Sequence, residues 1–230
     1  MEHVLDNPAW NALNSGNKEL AYGNDQVKYF DGEVSPFVGL AETSEDNFRL
    51  LYELVDRESP VLFVTPKETT ISAPWKQLVY IKGFQMVFEG DAPIYAPKYE
   101  LKDLTNEHIP QMLDLTKLTN PGPFASRTIE FGHYKGIFDG DKLIAMAGHR
   151  LHPNEYIEIS AVCTHPDHLG KGYARELLLY HINHIKAGNG IPFLHVRYDN
   201  ERAIDVYESL GFRTRTEVYF YVLQKDKQEI

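Results

Sequence analysis

The stretch from Glu158 to Ala174, read EISAVCTHPDHLGKGYA, constrains this chain more than any other. An apolar run from Ile157 to Val162 predicts a strand. It leads through a polar turn into Gly170-Lys171-Gly172, and an amphipathic helix follows at once. Strand, glycine turn and helix N-terminus together form an anion cradle. Main-chain N–H groups and the positive end of the helix dipole then face one point. The phosphates of a nucleotide-type cofactor are the fitting anion.

The flanking sequence predicts what surrounds this cradle. Asn106 to Leu118 reads as a helix burying Ile109, Met112, Leu113 and Leu115. Thr119 to Arg127, TNPGPFASR, opens a loop, because two prolines and a glycine end the helix. Tyr134–Phe138 and Leu143–His149 read as strands joined by the hairpin turn Asp139-Gly140-Asp141, with Tyr156–Cys163 as a third. A helix is expected from Gly170 to Ala187, ended by Gly188-Asn189-Gly190, then a buried strand Phe193–Val196. Asn200 caps a second helix that Gly211 closes, and Thr216–Gln224 alternates as a final strand. A hairpin meander feeding a strand–helix–strand unit predicts an α/β fold, a mixed sheet with helices on both faces.

Before residue 95 the pattern is looser. Asp6-Asn7-Pro8 starts a short helix, Asp46–Val55 carries an apolar helical stripe, and Val61–Thr65 and Leu78–Ile81 read as strands. Pro93 and Pro97 mark a linker. The expected organisation is an N-terminal α/β accessory domain, residues 1–95, and a main domain, residues 96–230.

Composition removes several function classes. A net charge of −10 argues against a nucleic-acid binder, which presents a basic surface. The single cysteine, Cys163, allows no intramolecular disulfide and fits a reducing compartment. No signal-peptide pattern opens the chain, and no apolar run approaches the ~20 residues of a membrane span. A cytoplasmic protein with no membrane partner is expected. Cys163, His165 and His168 lack a fourth ligand at zinc-site spacing, so no metal is expected and Cys163 reads as packing.

Two nucleotide motifs fail on the residues their mechanisms need. No glycine stands five residues before Gly170 and no Ser or Thr follows Lys171, which excludes a P-loop; Arg175 occupies the third glycine position of a dinucleotide fingerprint. Residues Leu169 to Ala174 instead resemble the acyl-CoA pyrophosphate loop of the GCN5-related N-acetyltransferase (GNAT) superfamily, Gln/Arg-x-x-Gly-x-Gly/Ala. Gly172 and Ala174 stand at the small positions, while Leu169 departs from the usual Gln or Arg. Downstream, Asn200 to Phe212 resembles the second motif, N-x-x-A-x-x-x-Y-x-x-x-G-F, at every fixed position. Ala161 to Pro166 is similar to the strand and turn that precede the loop. The resemblance covers roughly residues 100–225 and points within the superfamily to the FR47-like group.

The resemblance implies a GNAT fold in the C-terminal part, with the N-terminal domain open to reading as a degenerate half-copy. It implies acetyl-CoA as co-substrate, held by Val162, Cys163, Leu169, Gly170, Lys171, Gly172, Tyr173, Ala174, Asn200 and Ala203. Glu158 stands where histone-acetylating members carry a glutamate base, and in a regular strand it would share a face with Ser160 and Val162. Tyr207 matches the acid position. Phe124 and Arg127 lie on the loop that shapes acceptor pockets, and His149 ends the strand beside it. The expected activity is acetyl-CoA-dependent N-acetylation of a small-molecule amine by direct attack, in a monomer or homodimer. The alternatives are a non-catalytic acyl-CoA-binding or sensing module and a protein N-acetyltransferase.

Overall fold

The computed structural model describes residues 3–56 and 58–226. The first half runs α1 (Pro8–Leu13), β1 (Ala21–Gly23), β2 (Val27–Phe30), β3 (Phe37–Leu40), α2 (Glu45–Leu54), β4 (Val61–Thr65) and β5 (Trp75–Phe88). The second runs β6 (Lys102–Asp103), α3 (Ile109–Thr119), β7 (Lys135–Asp139), β8 (Lys142–His149), β9 (Tyr156–Thr164), α4 (Tyr173–Ala187), β10 (Ile191–Arg197), α5 (Glu201–Leu210) and β11 (Phe212–Lys225). Local chemistry starts these helices. Ser44 and Asn200 each accept a hydrogen bond from the N–H three residues on, and Pro8 sits in the first turn of α1.

All strands join one mixed sheet, ordered β1-β2-β3-β4-β11-β5-β10-β9-β8-β7-β6. This order is nearly palindromic about its centre. On one side β3 and β4 are parallel, with α2 as their crossover; on the other β9 and β10 are parallel, with α4 as theirs. Between the two units lie β11 and β5, antiparallel from Phe212 beside Phe88 to Lys225 beside Trp75. Each half thus places one long strand next to the other half's parallel pair. The sheet runs unbroken past the Pro93–Pro97 connection, because β5 lies between β11 and β10. The N-terminal half therefore repeats the strand–helix–strand plan of the C-terminal half.

Alternating residues bury both faces. Phe30, Phe37, Leu62, Phe193 and Val218 meet α1 on one face, and α3 packs on that face further along through Met112 and Leu115. On the other face Phe63, Tyr221 and Leu223 meet α2, while Ile159, Leu194 and Phe212 meet α4 and α5. Each such apolar side chain contributes roughly 1.5–3 kcal/mol on burial.

Candidate active site

The expected cradle forms at the start of α4. Gly170 and Gly172 take φ values of +78° and +85°, the left-handed region that suits glycine. A Cβ at either position would meet nothing within 4 Å, so both glycines face open space. The main-chain N–H groups of Gly170 to Arg175 find no partner among the described residues. They gather at the positive end of a 15-residue helix. Lys171 stands exposed beside them, and Leu169 is exposed without narrowing the loop. The corresponding helix start in the N-terminal half is closed. There Ser44 caps α2, and Glu42, Glu45 and Asp46 surround it, which disfavours an anion.

A segment before residue 100 fastens this loop. The Tyr99 hydroxyl donates to the Lys171 carbonyl at 2.8 Å, and its ring meets Tyr173 edge-on at 4.7 Å. The Tyr95 hydroxyl and the Lys98 N–H both donate to buried Glu176, each at 3.0 Å. Sequence reading missed these residues, because linkers of Pro and Tyr carry no local signature of what they touch.

From the cradle the sheet opens. β9 pairs with β10 only from Tyr156–Glu158 to Ile191–Phe193, and among the described residues no further pair joins them. Beyond Glu158 the two strands diverge, leaving one main-chain edge of β9 without a strand partner. At the same level β9 bulges. Ala161 has φ +52°, and the register with β8 slips between Met146 and Gly148. A bulge leaves main-chain groups out of the ladder and flips the alternation. Ala161 and Cys163 consequently face α3, while Val162 faces Tyr173 and Leu177. Val162 therefore does not share a face with Glu158, contrary to the regular-strand expectation.

Glu158 is fully buried on the α3 face. Arg150 donates to both of its oxygens, from Nε at 2.8 Å and Nη2 at 2.5 Å, and the Leu151 N–H adds a contact at 3.3 Å. His195 Nδ1 donates to Oε1 at 2.7 Å. The tautomer follows from the next link: Gln85 Nε2 lies 3.1 Å from His195 Nε2 and can only donate. Gln85 is fixed in turn by Arg215, which reaches Asp6. Burial alone would raise the Glu158 pKa, but Arg150 and then His195 outweigh it and hold the carboxyl well below the usual range. Both carboxylate oxygens of Glu158 are thus engaged by Arg150, His195 and the Leu151 N–H.

Tyr207 lies on α5, on the opposite face from Glu158, half-buried against Phe212 at 6.0 Å. Desolvation pushes its phenol up to about 12, so it keeps its proton at neutral pH. Asn200 uses its side chain to cap α5 at the Ala203 N–H. Cys163 is buried, and burial pushes its thiol up to about 12, which fits packing and not nucleophilic chemistry.

The acceptor-side residues divide. Phe124 lies on the loop over the α3 face and meets Tyr134 edge-on at 5.8 Å. Arg127 is already engaged: it pairs with Asp31 at 2.8 Å and Glu130 at 2.6 Å, and its N–H bonds the Glu33 carbonyl. It pins the loop to the first half. His149 is turned to the other face. It packs against His133, His181 and His184 with ring centroids 4.7–5.8 Å away. It lines a cavity of about 180 Å³ with His133, His152, His184 and Gly188. His184 is 12 residues beyond Gly172, about 18 Å along α4 from the cradle. His149 thus sits in this histidine cluster on the α4 face.

Among the described residues no group of three or more His, Cys, Asp or Glu is arranged to hold a metal ion, and no helix is long and apolar enough to cross a membrane.

Comparison with known proteins agrees with this geometry. The FR47-like protein family model matches residues 134–221. A crystal structure described as an acetyltransferase from the GNAT family, from Novosphingobium aromaticivorans, is 31% identical, with a TM-score of 0.90, and covers 97% of this chain and 99% of its own. N-alpha-acetyltransferase RimI of Mycobacterium tuberculosis is 35% identical over 85 residues, and a Mycobacterium leprae protein called uncharacterized protein ML0378 is 36% identical over 101. The match spans 52% and 27% of those two relatives, and 35% and 40% of this chain. An open glycine turn at a helix start, a splayed strand pair and a likeness to a GNAT structure over 97% of this chain lead to one conclusion: the chain belongs to the GNAT superfamily of acetyltransferases, with an FR47-like region at residues 134–221.

Proposed function

We propose that the protein is an acetyl-CoA-dependent N-acetyltransferase whose acceptor is the amine of a small molecule. The observation that carries this reading is the open cradle of Gly170 and Gly172 beside the divergence of β9 from β10. Acetyl-CoA supplies an acetyl group activated as a thioester. The N–H groups of Gly170 to Ala174 would hold its diphosphate, helped by Lys171. The unpaired edge of β9 near Val162 and Cys163 would take its amide arm, with Asn200 and Ala203 at the start of α5 alongside. Tyr207 keeps a proton at Oη for the departing sulfur. Glu158 acts at one remove, holding Arg150 and His195 in place. The acceptor enters as its neutral amine, formed before binding, since Glu158 is committed to Arg150 and His195; after attack the nitrogen gives its extra proton to solvent, as Tyr207 gives one to sulfur and regains it from solvent.

A small acceptor is favoured because the 120–127 loop is pinned to the first half through Ser126, Arg127 and the adjoining Thr128. Likeness to N-alpha-acetyltransferase RimI favours a second reading, acetylation of a protein N-terminus. Thiol release from acetyl-CoA, measured with a panel of small amines and short peptides, separates the two. Turnover of small amines that peptides do not inhibit supports the first. Turnover of peptides alone supports the second. Stabilisation by acetyl-CoA without turnover of any acceptor would leave a binding module and reject both.

A further inference from the structure

Tyr134 stands just before β7, on the face shared by Arg150, Glu158, Ala161 and Cys163. Its ring lies against Gly148, where a Cβ would come within 2.4 Å of it. Gly148 thus leaves the space that the ring occupies. Gly148 pairs with Ser160 and borders the β9 bulge, so the ring sits beside the point where β9 leaves β10. Phe124 closes over it from the 120–127 loop. The residue is 2% exposed, and its hydroxyl has no hydrogen-bond partner among the described residues. A buried hydroxyl without a partner destabilises a fold, and phenylalanine would fill the same space without that penalty. An orphaned polar atom of this kind, beside the point where β9 leaves β10, implies a partner that the chain itself does not supply.

We propose that the Tyr134 hydroxyl is the hydrogen-bond partner of the acceptor amine, with Phe124 as the roof that parts to admit it. The inference rests on the acetyltransferase reading above and adds a residue to it. Tyr134 Oη accepts one N–H of the amine and leaves the nitrogen lone pair free to point at the acetyl carbon. A primary amine suits this site: it keeps one N–H for Tyr134, while the other proton passes from nitrogen to solvent and Tyr207, having given its proton to sulfur, is reprotonated from solvent. The Arg150–Glu158 pair behind it is neutral as a unit, which favours an uncharged amine over an ammonium.

The test is Tyr134→Phe in the full chain, assayed by thiol release with the best small amine and by thermal unfolding. Expected is a fall of about tenfold or more in kcat/KM for the acceptor, the loss of one hydrogen bond in the transition state. The KM for acetyl-CoA and the thermal shift it produces stay at wild-type values. The melting temperature holds or rises, because the orphan is removed. Unchanged acceptor kcat/KM would overturn the proposal. So would a fall in melting temperature together with activity, the signature of a structural hydroxyl. Phe124→Ala gives a second arm, with a changed acceptor KM expected and an unchanged one counting against the roof. If the wild-type protein releases no thiol with any amine, the acetyltransferase reading itself fails and takes this proposal with it.

Discussion

Replacing Gly172 by alanine separates the cradle's conformational cost from its chemical purpose. The residue sits at φ +85°, where alanine costs roughly 1–2 kcal/mol. No steric clash adds to this, because nothing lies within 4 Å of the added methyl. For a chain of 230 residues such a loss lowers the melting temperature by roughly 2–8 °C. The methyl would project into the space where a diphosphate meets the N–H groups. Losing one charge-assisted hydrogen bond there costs about 1.5–3 kcal/mol, or about 10- to 150-fold in Kd. Gly140 is a matched control. It also has positive φ, +58°, and open space around its Cβ, but it lies in the β7–β8 hairpin. Calorimetric titration of CoA at about 20 °C below the melting point, a margin of roughly two to three times the largest expected shift, compares the two. Gly172→Ala should lose stability and affinity, Gly140→Ala stability alone. Wild-type CoA affinity in Gly172→Ala, with the melting temperature lowered as expected, would refute the cradle.

The remaining predictions concern protons. Tyr207→Phe should lower kcat by about 10²–10⁴ with little change in melting temperature. Since the phenol sits near 12, the pH profile should show no falling limb from it below about pH 10. Glu158→Gln should lower kcat less than a lost general base would, and kcat/KM should rise with pH along the acceptor's own ionisation. Arg150→Ala strands a buried carboxylate and should destabilise by about 3–5 kcal/mol in urea unfolding. Glu158 has a lowered folded pKa, so its stabilisation is present above the unfolded value near 4.5 and is lost as pH falls below it. The histidine cavity gives a higher window. Burial pushes His149 down to about 2 and His181 to about 3, from an ordinary 6.5. Both stay neutral in the fold, so stability is full above about pH 6.5 and falls below it by ~1.4 kcal/mol per pH unit for each histidine. Melting curves between pH 7 and 5 check this, and His149→Asn should flatten the slope.

Much of the C-terminal half was legible because its signals are local. The glycine cradle, the Asp139-Gly140-Asp141 turn, the Asn200 cap and the Gly211 stop each act within a few residues, and their elements lie where the sequence places them. The pairing of β5 with β10 and β11 joins residues more than a hundred apart, which no local pattern encodes. Strands β1 to β3 are three or four residues long, too short for periodicity to register. In the site, one bulge misled the reading. Strict alternation puts Val162 with Glu158, and the extra residue at Ala161 turns it to the other face. Glu158 was visible as a carboxylate on the β9 strand, but Arg150 and His195, which hold it, reach it from just past the end of β8 and from β10. Tyr134 had no signal beyond its opening position in a strand.

One experiment tests the central claim most directly: acceptor-dependent thiol release from acetyl-CoA, with the product weighed by mass spectrometry. The account predicts thiol release that requires an amine, an amine heavier by one acetyl group, and loss of both in Tyr207→Phe. Acetyl-CoA binding with no acetylated product from any small amine or peptide would contradict it.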